Sequence, residues 1–154
     1  MAGPTDVVVG GDAAIAPHYG PIHVVHADAL ATDAAQVAGM TRYEAIGGGT
    51  VGTRALRLGR VVAHAGMISA VHHHGDCETA VYLMSGRVLM LFGPDLRERI
   101  ELVPGDFFFV PPWTIHAEAN LSGEDAAFIV AQSSPQGVAV NLPDIPLPNL
   151  RGSQ

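Results

Sequence analysis

From Thr53 onward the chain is a succession of short apolar runs, each closed by Gly, Pro or Asp, with no helical periodicity between them. No other feature restricts the fold as strongly. Short apolar or alternating runs bounded by turn residues read as strands. They are expected near Thr53–His64, Val71–His74, Ala80–Ser85, Arg87–Phe92, Arg97–Leu102, Phe107–Val110, Ile115–Asn120 and Ala126–Gln132. Turn chemistry separates them: Ser85-Gly86, Gly93-Pro94-Asp95, Pro104-Gly105-Asp106 and Ser122-Gly123-Glu124-Asp125. An all-β antiparallel sandwich or barrel follows.

The opening of the chain is less regular. Val7–Val9 and Ile22–Val25 read as short strands, and Asp28–Val37 as a helix of two or three turns. No linker sets this part off, so residues 1–50 are expected to form an N-terminal arm of the same domain, residues 51–140 the barrel, and residues 141–154 a tail. With Pro143, Pro146 and Pro148, that tail should run over the surface as irregular extended chain. Val88–Phe92 and Phe107–Val110 are apolar on both faces. Their outer faces therefore need cover from the arm or from a second subunit, and a homodimer is the simpler expectation.

Composition narrows the function. Fifteen Asp and Glu against eight basic residues give a formal charge of −7, which argues against nucleic-acid and anionic-membrane surfaces. Every basic residue is Arg; without Lys, neither a Schiff base nor a Walker lysine is possible. No apolar run is long enough to span a bilayer, and the first residues lack a signal-peptide pattern. The lone Cys77 suits a reducing compartment. A cytoplasmic protein is the expectation, and the Ala, Gly, Val and Arg bias hints at a GC-rich bacterial genome. Gly47-Gly48-Gly49-Thr50-Val51-Gly52 matches a dinucleotide fingerprint literally, but a strand follows it, so no helix N-terminus awaits a pyrophosphate.

The chemistry is densest at Gly66–Glu78. Side chains alternate on a strand, so His72 and His74 share a face and His73 points away. Two imidazoles on one face, with a carboxylate shortly after, can converge on one divalent ion. A solvated histidine cluster at a strand end would read the same way. A second segment, Gly105–Asn120, carries a proline at Pro111, a histidine at His116 and an asparagine at Asn120.

Here the chain resembles the cupin superfamily. Gly66, His72, His74 and Glu78 fit its first motif; Gly105, Pro111, His116 and Asn120 fit its second. The resemblance covers the central part of the chain and implies a double-stranded β-helix, or jelly-roll barrel, commonly dimeric. It further implies that His72, His74, Glu78 and His116 hold one metal in the barrel mouth. Two departures stand out. Trp113 occupies a family glycine position. Gly86, which closes the first motif, lies one residue late for Glu78, and counting back from it reaches Thr79. Either the loop bulges and Glu78 binds, or Thr79 faces the metal and the site is three histidines with water. Glu78 is preferred because threonine is a poor ligand beside a free carboxylate, and the second arrangement stays open.

Glu118, two residues beyond His116, shares its face and is a candidate base near the metal. Arg57, Tyr82, Met84, Phe92, Phe109 and Trp113 are the candidate pocket residues; an inward Arg such as Arg57 would suit a substrate carboxylate. The resemblance implies a metal-dependent enzyme for a small organic molecule. Fe(II) or Mn(II) oxygenase chemistry leads, with Ni(II) or Zn(II) and isomerase, lyase or cyclase chemistry as further possibilities. A small-molecule-binding or sensory protein without turnover is the alternative.

Overall fold

The computed structural model describes residue 17, residues 19–33 and residues 35–150. All eight strands expected from Thr53 onward are present, together with three more among the described residues. The main sheet has six strands in the order β1 (Ala31–Thr32), β2 (Met40–Ile46), β3 (Arg57–Ala63), β10 (Ala126–Gln132), β5 (Thr79–Ser85) and β8 (Phe107–Val110), every neighbouring pair antiparallel. Period-two alternation dictates what faces inward. On β5, Thr79, Val81 and Leu83 are buried while Ala80, Tyr82 and Met84 are exposed. Gly86 ends β5 at φ 81°, and a Cβ there would meet the Ala126 backbone at 2.6 Å, so only glycine allows this close strand approach.

Facing this sheet lies a second layer in which β7 (Glu98–Leu102), β6 (Val88–Phe92) and β9 (Ala117–Ala119) pair antiparallel. Bridges Ile68↔Ala119 and His72↔His116 extend it to β4 (His72–His73), which pairs with β11 (Val140–Asn141). The two layers enclose a core that includes Val61, Leu83, Met90 and Phe128. Burying each such side chain contributes roughly 1.5–3 kcal/mol. The architecture is the expected all-β jelly roll.

Several local expectations fail. Among its described residues Asp28–Val37 forms no helix: it holds the short β1 and turns, and Asp33 pairs with Arg57 in the barrel. Ile22–Val25 lacks strand pairing, and Ile22 and Val24 are exposed. Val7–Val9 lies outside the described residues. Met40–Ile46, read above as irregular arm, is a full strand of the main sheet. The Pro-rich tail is more than surface chain. It contributes β11 and lays Leu142, Ile145 and Leu150 against Val71, Leu91, Leu96 and Ala117. That second cluster explains the doubly apolar β6, whose outer side the chain's own tail covers. Among the described residues strand β8 has no such cover: Phe107 and Phe109 are exposed on the outer face.

Candidate metal centre

His72 and His116 form a directly opposed pair, exchanging backbone hydrogen bonds of 3.0 Å in both directions. Opposed residues project to the same face, and the two rings lie 4.3 Å apart between centroids. His74, two residues along, joins them at 5.2 Å from His72 and 4.9 Å from His116. All three are buried, and their potential ligand atoms lie within 4.8 Å of one another. His73 points away as expected, its ring 5.3 Å from that of Trp113.

Backbone carbonyls orient each ring. Nδ1 donates to Ala70 O from His72 (2.8 Å), to Val138 O from His74 (2.7 Å) and to Thr114 O from His116 (2.8 Å). A carbonyl only accepts, so the proton sits on Nδ1 and the Nε2 lone pair is left for another partner. Such an outer hydrogen bond typically fixes a metal-binding imidazole. Nε2 of His116 is buried without a hydrogen-bond partner.

Glu118 completes the group. Its Oε2 stands 3.7 Å from Nε2 of His72, and its Oε1 3.5 Å from Nε2 of His116. Ser69 holds it: the Ser69 hydroxyl lies 3.1 Å from Oε2 and accepts the Glu118 backbone N–H at 2.9 Å. Burial alone would raise the Glu118 pKa, but the facing histidines outweigh it and hold the carboxyl below its ordinary range. Burial lowers the pKa of His72, and that of His74 to about 3, so both stay neutral. For His116 burial also pulls downward, yet the Glu118 charge prevails and raises it. Two neutral imidazoles, a third beside a carboxylate and an orphaned buried nitrogen fit a divalent transition metal in an N,O donor set.

The preferred fourth residue, Glu78, is not among the side chains gathered with the histidines. Glu78 is exposed at the mouth of β5 and stands apart from the histidine cluster. Thr79 is the buried residue, lining one cavity with His72 and His74. Strand parity explains this: β5 starts in register at Thr79↔Val110 and Thr79↔Gln132, which turns residue 78 outward. Glu118, expected as a base, is the carboxylate that stands beside His72 and His116.

The candidate pocket residues scatter. Phe92 and Phe109 line a cleft of about 430 Å³ with His116, Met90 and Ile100. Tyr82 and Met84 lie on the outer face, and Trp113 is 64% exposed against His73. Trp113 adopts φ 61°, the left-handed conformation for which a glycine would be ordinary. Arg57 does turn into the barrel, but its Nη2 is in short contact with Asp33 and donates to Tyr43 O at 3.2 Å. The arginine at the cavity wall is Arg42, beside His72, His74, Thr79 and Glu118. Alternation in Met40-Thr41-Arg42 could have revealed it had that segment been recognised as a strand. Asn120 is fully buried and serves the turn, donating to Ala63 O and Glu124 O and accepting from Ser122.

A family model described as cupin domain matches residues 59–131. No curated protein matches by sequence. Among solved structures, the polyketide cyclase RemF from Streptomyces resistomycificus is similar at TM-score 0.65 and 20% identity, over 82% of this chain and 90% of that one. An oxalate oxidase in complex with the substrate analogue glycolate gives 0.56 at 20%, over 68% of this chain and 56% of that one. A Bacillus subtilis oxalate decarboxylase mutant gives 0.60 at 20%, over 72% of this chain and 29% of that one. This chain thus spans little more than half of the oxidase and under a third of the decarboxylase. At these identities the likeness is one of fold, and a fold does not choose among a cyclase, an oxidase and a decarboxylase.

Proposed function

We propose that this chain, which belongs to the cupin superfamily, is a metal-dependent enzyme for a small organic molecule, with His72, His74 and His116 as ligands. The observation that carries this is the set of three buried imidazoles, each with Nδ1 committed to a carbonyl and Nε2 turned to a shared point beside Glu118. Fe(II) is the favoured ion, with Mn(II), Ni(II) or Zn(II) as alternatives; when bound it supplies Lewis acidity and open positions for a chelating substrate or dioxygen.

The residues around it divide the remaining work. Glu118, kept ionised by the facing histidines, either completes the donor set or accepts a proton at Oε1 beside His116. Val61, Val81, Phe108 and Phe128 exclude bulk water, which strengthens every charge interaction inside. The chemistry is oxygenation, or metal-assisted isomerisation, elimination or cyclisation. Assembly as a homodimer is supported by the apolar face carrying Tyr82, Met84, Phe107 and Phe109, which the described residues leave exposed. A cytoplasmic location accords with the acidic charge and the lone buried Cys77.

The test is elemental analysis after reconstitution, followed by a substrate screen read by oxygen uptake and mass spectrometry, with His116→Ala as control. One metal per chain and a product absent from the control are expected. Protein that takes up no metal from Fe(II), Mn(II), Ni(II) or Zn(II) removes the reading. Loaded protein that binds a compound but always returns it unchanged makes the chain a binding protein.

A further inference from the structure

The interior cavity beside Thr79 holds about 20 Å³, too little for an organic ligand. The cleft of about 430 Å³ between β8 and the β6–β7 pair is different. Its volume falls in the range of roughly 300–1,000 Å³ usual for small-molecule sites. Strand register builds one wall. Ile100 pairs with Met90, and Met90 with Glu118, so the three share a face. They form a row from the β7 edge to the carboxylate beside His116. Phe107, Phe108 and Phe109 of β8 supply another wall. Phe107 is 79% and Ile100 50% exposed, whereas His116 is 1% exposed. The cleft therefore runs from an open aromatic rim inward to the histidine cluster.

Among the residues that line this cleft, only Thr114 and His116 are polar, and none is Arg, Asp or Glu. A charged group lying between such walls would lose its water without gaining a partner. Aromatic rings and a thioether favour contact with another flat ring instead. Polarity is confined to the inner end. There Nε2 of His116 is buried without a hydrogen-bond partner, and it is the atom that the metal reading gives to the ion. We infer that the cleft is the substrate subsite, and that the substrate is an uncharged molecule with an apolar ring system and one hydroxyl or carbonyl oxygen at its His116 end. The inference rests on the metal reading above and adds to it the class of the substrate.

The experiment titrates Co(II)-loaded protein with 2-naphthol, phenol and malonate, followed by calorimetry and by the visible Co(II) spectrum. At neutral pH 2-naphthol should shift the Co(II) bands and bind at least tenfold more tightly than phenol, which keeps the hydroxyl but has one ring fewer. It should exceed malonate, a small dianion, by the same factor. Ile100→Asp places a charge in the cleft wall and leaves the outer face of β8 intact. It should weaken 2-naphthol at least tenfold with the Co(II) content unchanged. Ile100→Thr, which keeps the β-branch of a strand residue, should fall between the two and stands in if Ile100→Asp does not fold. Either variant that holds one Co(II) and binds 2-naphthol within twofold of the parent overturns the inference. So does parent protein that binds malonate or phenol as tightly as 2-naphthol, or that binds 2-naphthol without a shift of the Co(II) bands. Those outcomes leave the metal reading standing, whereas parent protein that takes up no Co(II) overturns the metal reading and this inference together.

Discussion

Each clustered imidazole is held from behind by a carbonyl of a different segment: Ala70, Thr114 and Val138. Metal affinity should therefore follow the inward carboxylate. Glu118→Gln is expected to weaken metal binding more than tenfold, while Glu78→Gln stays within about twofold, by competition against a chromogenic chelator. The reverse ranking would return Glu78 to the site. The same buried residues set the pH response of metal-free protein. His72 and His74 have lowered pKa values in the fold, that of His74 about 3, so the unfolded chain takes up their protons first. Stability then falls as pH drops below the ordinary histidine value near 6.5. The raised His116 acts oppositely, its contribution being complete below that value and lost as pH rises. On the acid side the two neutral histidines dominate, with a slope approaching about 2.7 kcal/mol per pH unit for two protons. Urea melts of chelator-treated protein between pH 7 and 5 measure it; a flat profile contradicts the assignment of neutral imidazoles.

At the scale of elements, the stretch from Gln132 to Leu142 that leads into the C-terminal tail behaves as part of the candidate metal centre. Val138 O receives His74 Nδ1, Gln132 braces the Val138 backbone through contacts of 3.2 Å on either side, and Leu142 N donates to Val71 O. Beyond that, Leu142 and Ile145 cover Leu91 and Ala117 on the outside of the second layer. Replacing both Leu142 and Ile145 with Ala removes half-buried methyl groups and should lower stability by about 2 kcal/mol, or roughly 4–8 °C in Tm. A scanning calorimetry trace with unchanged Tm would show that the tail merely rests on the surface.

At the scale of the whole molecule, one face stays apolar and open among the described residues. Strand β8 is the edge of the main sheet, and Phe107 on it is 79% exposed beside Tyr82, the rings 4.6 Å apart. An uncovered apolar edge strand invites pairing or packing with another chain. Phe107→Glu is expected to convert a dimer to a monomer in light scattering at micromolar concentration, with metal content unchanged because Phe107 does not touch the histidines. A parent protein that is already monomeric refutes the dimer.

The sequence by itself determined the strand periodicity, the turns between strands and the shared face of His72 and His74, because alternation and turn chemistry are local properties of the backbone. Gly86 was legible for the same reason, as a turn residue closing a strand, whereas its close approach to Ala126 came only with the packed sheet. Which carboxylate joins the histidines was decided only by pairing across the molecule. The opposition of His72 to His116 brings Glu118 inward, and the register of β5 against β8 and β10 turns Thr79 in and Glu78 out. Arg42 and the Val138 carbonyl stayed hidden because they reach the site from segments whose order comes from tertiary pairing: β2 forms against β3, and the tail forms against β4. Their own composition reads as arm and as Pro-rich tail. A local pattern specifies which way a side chain points along its own strand; only the packed sheets specify what that side chain meets.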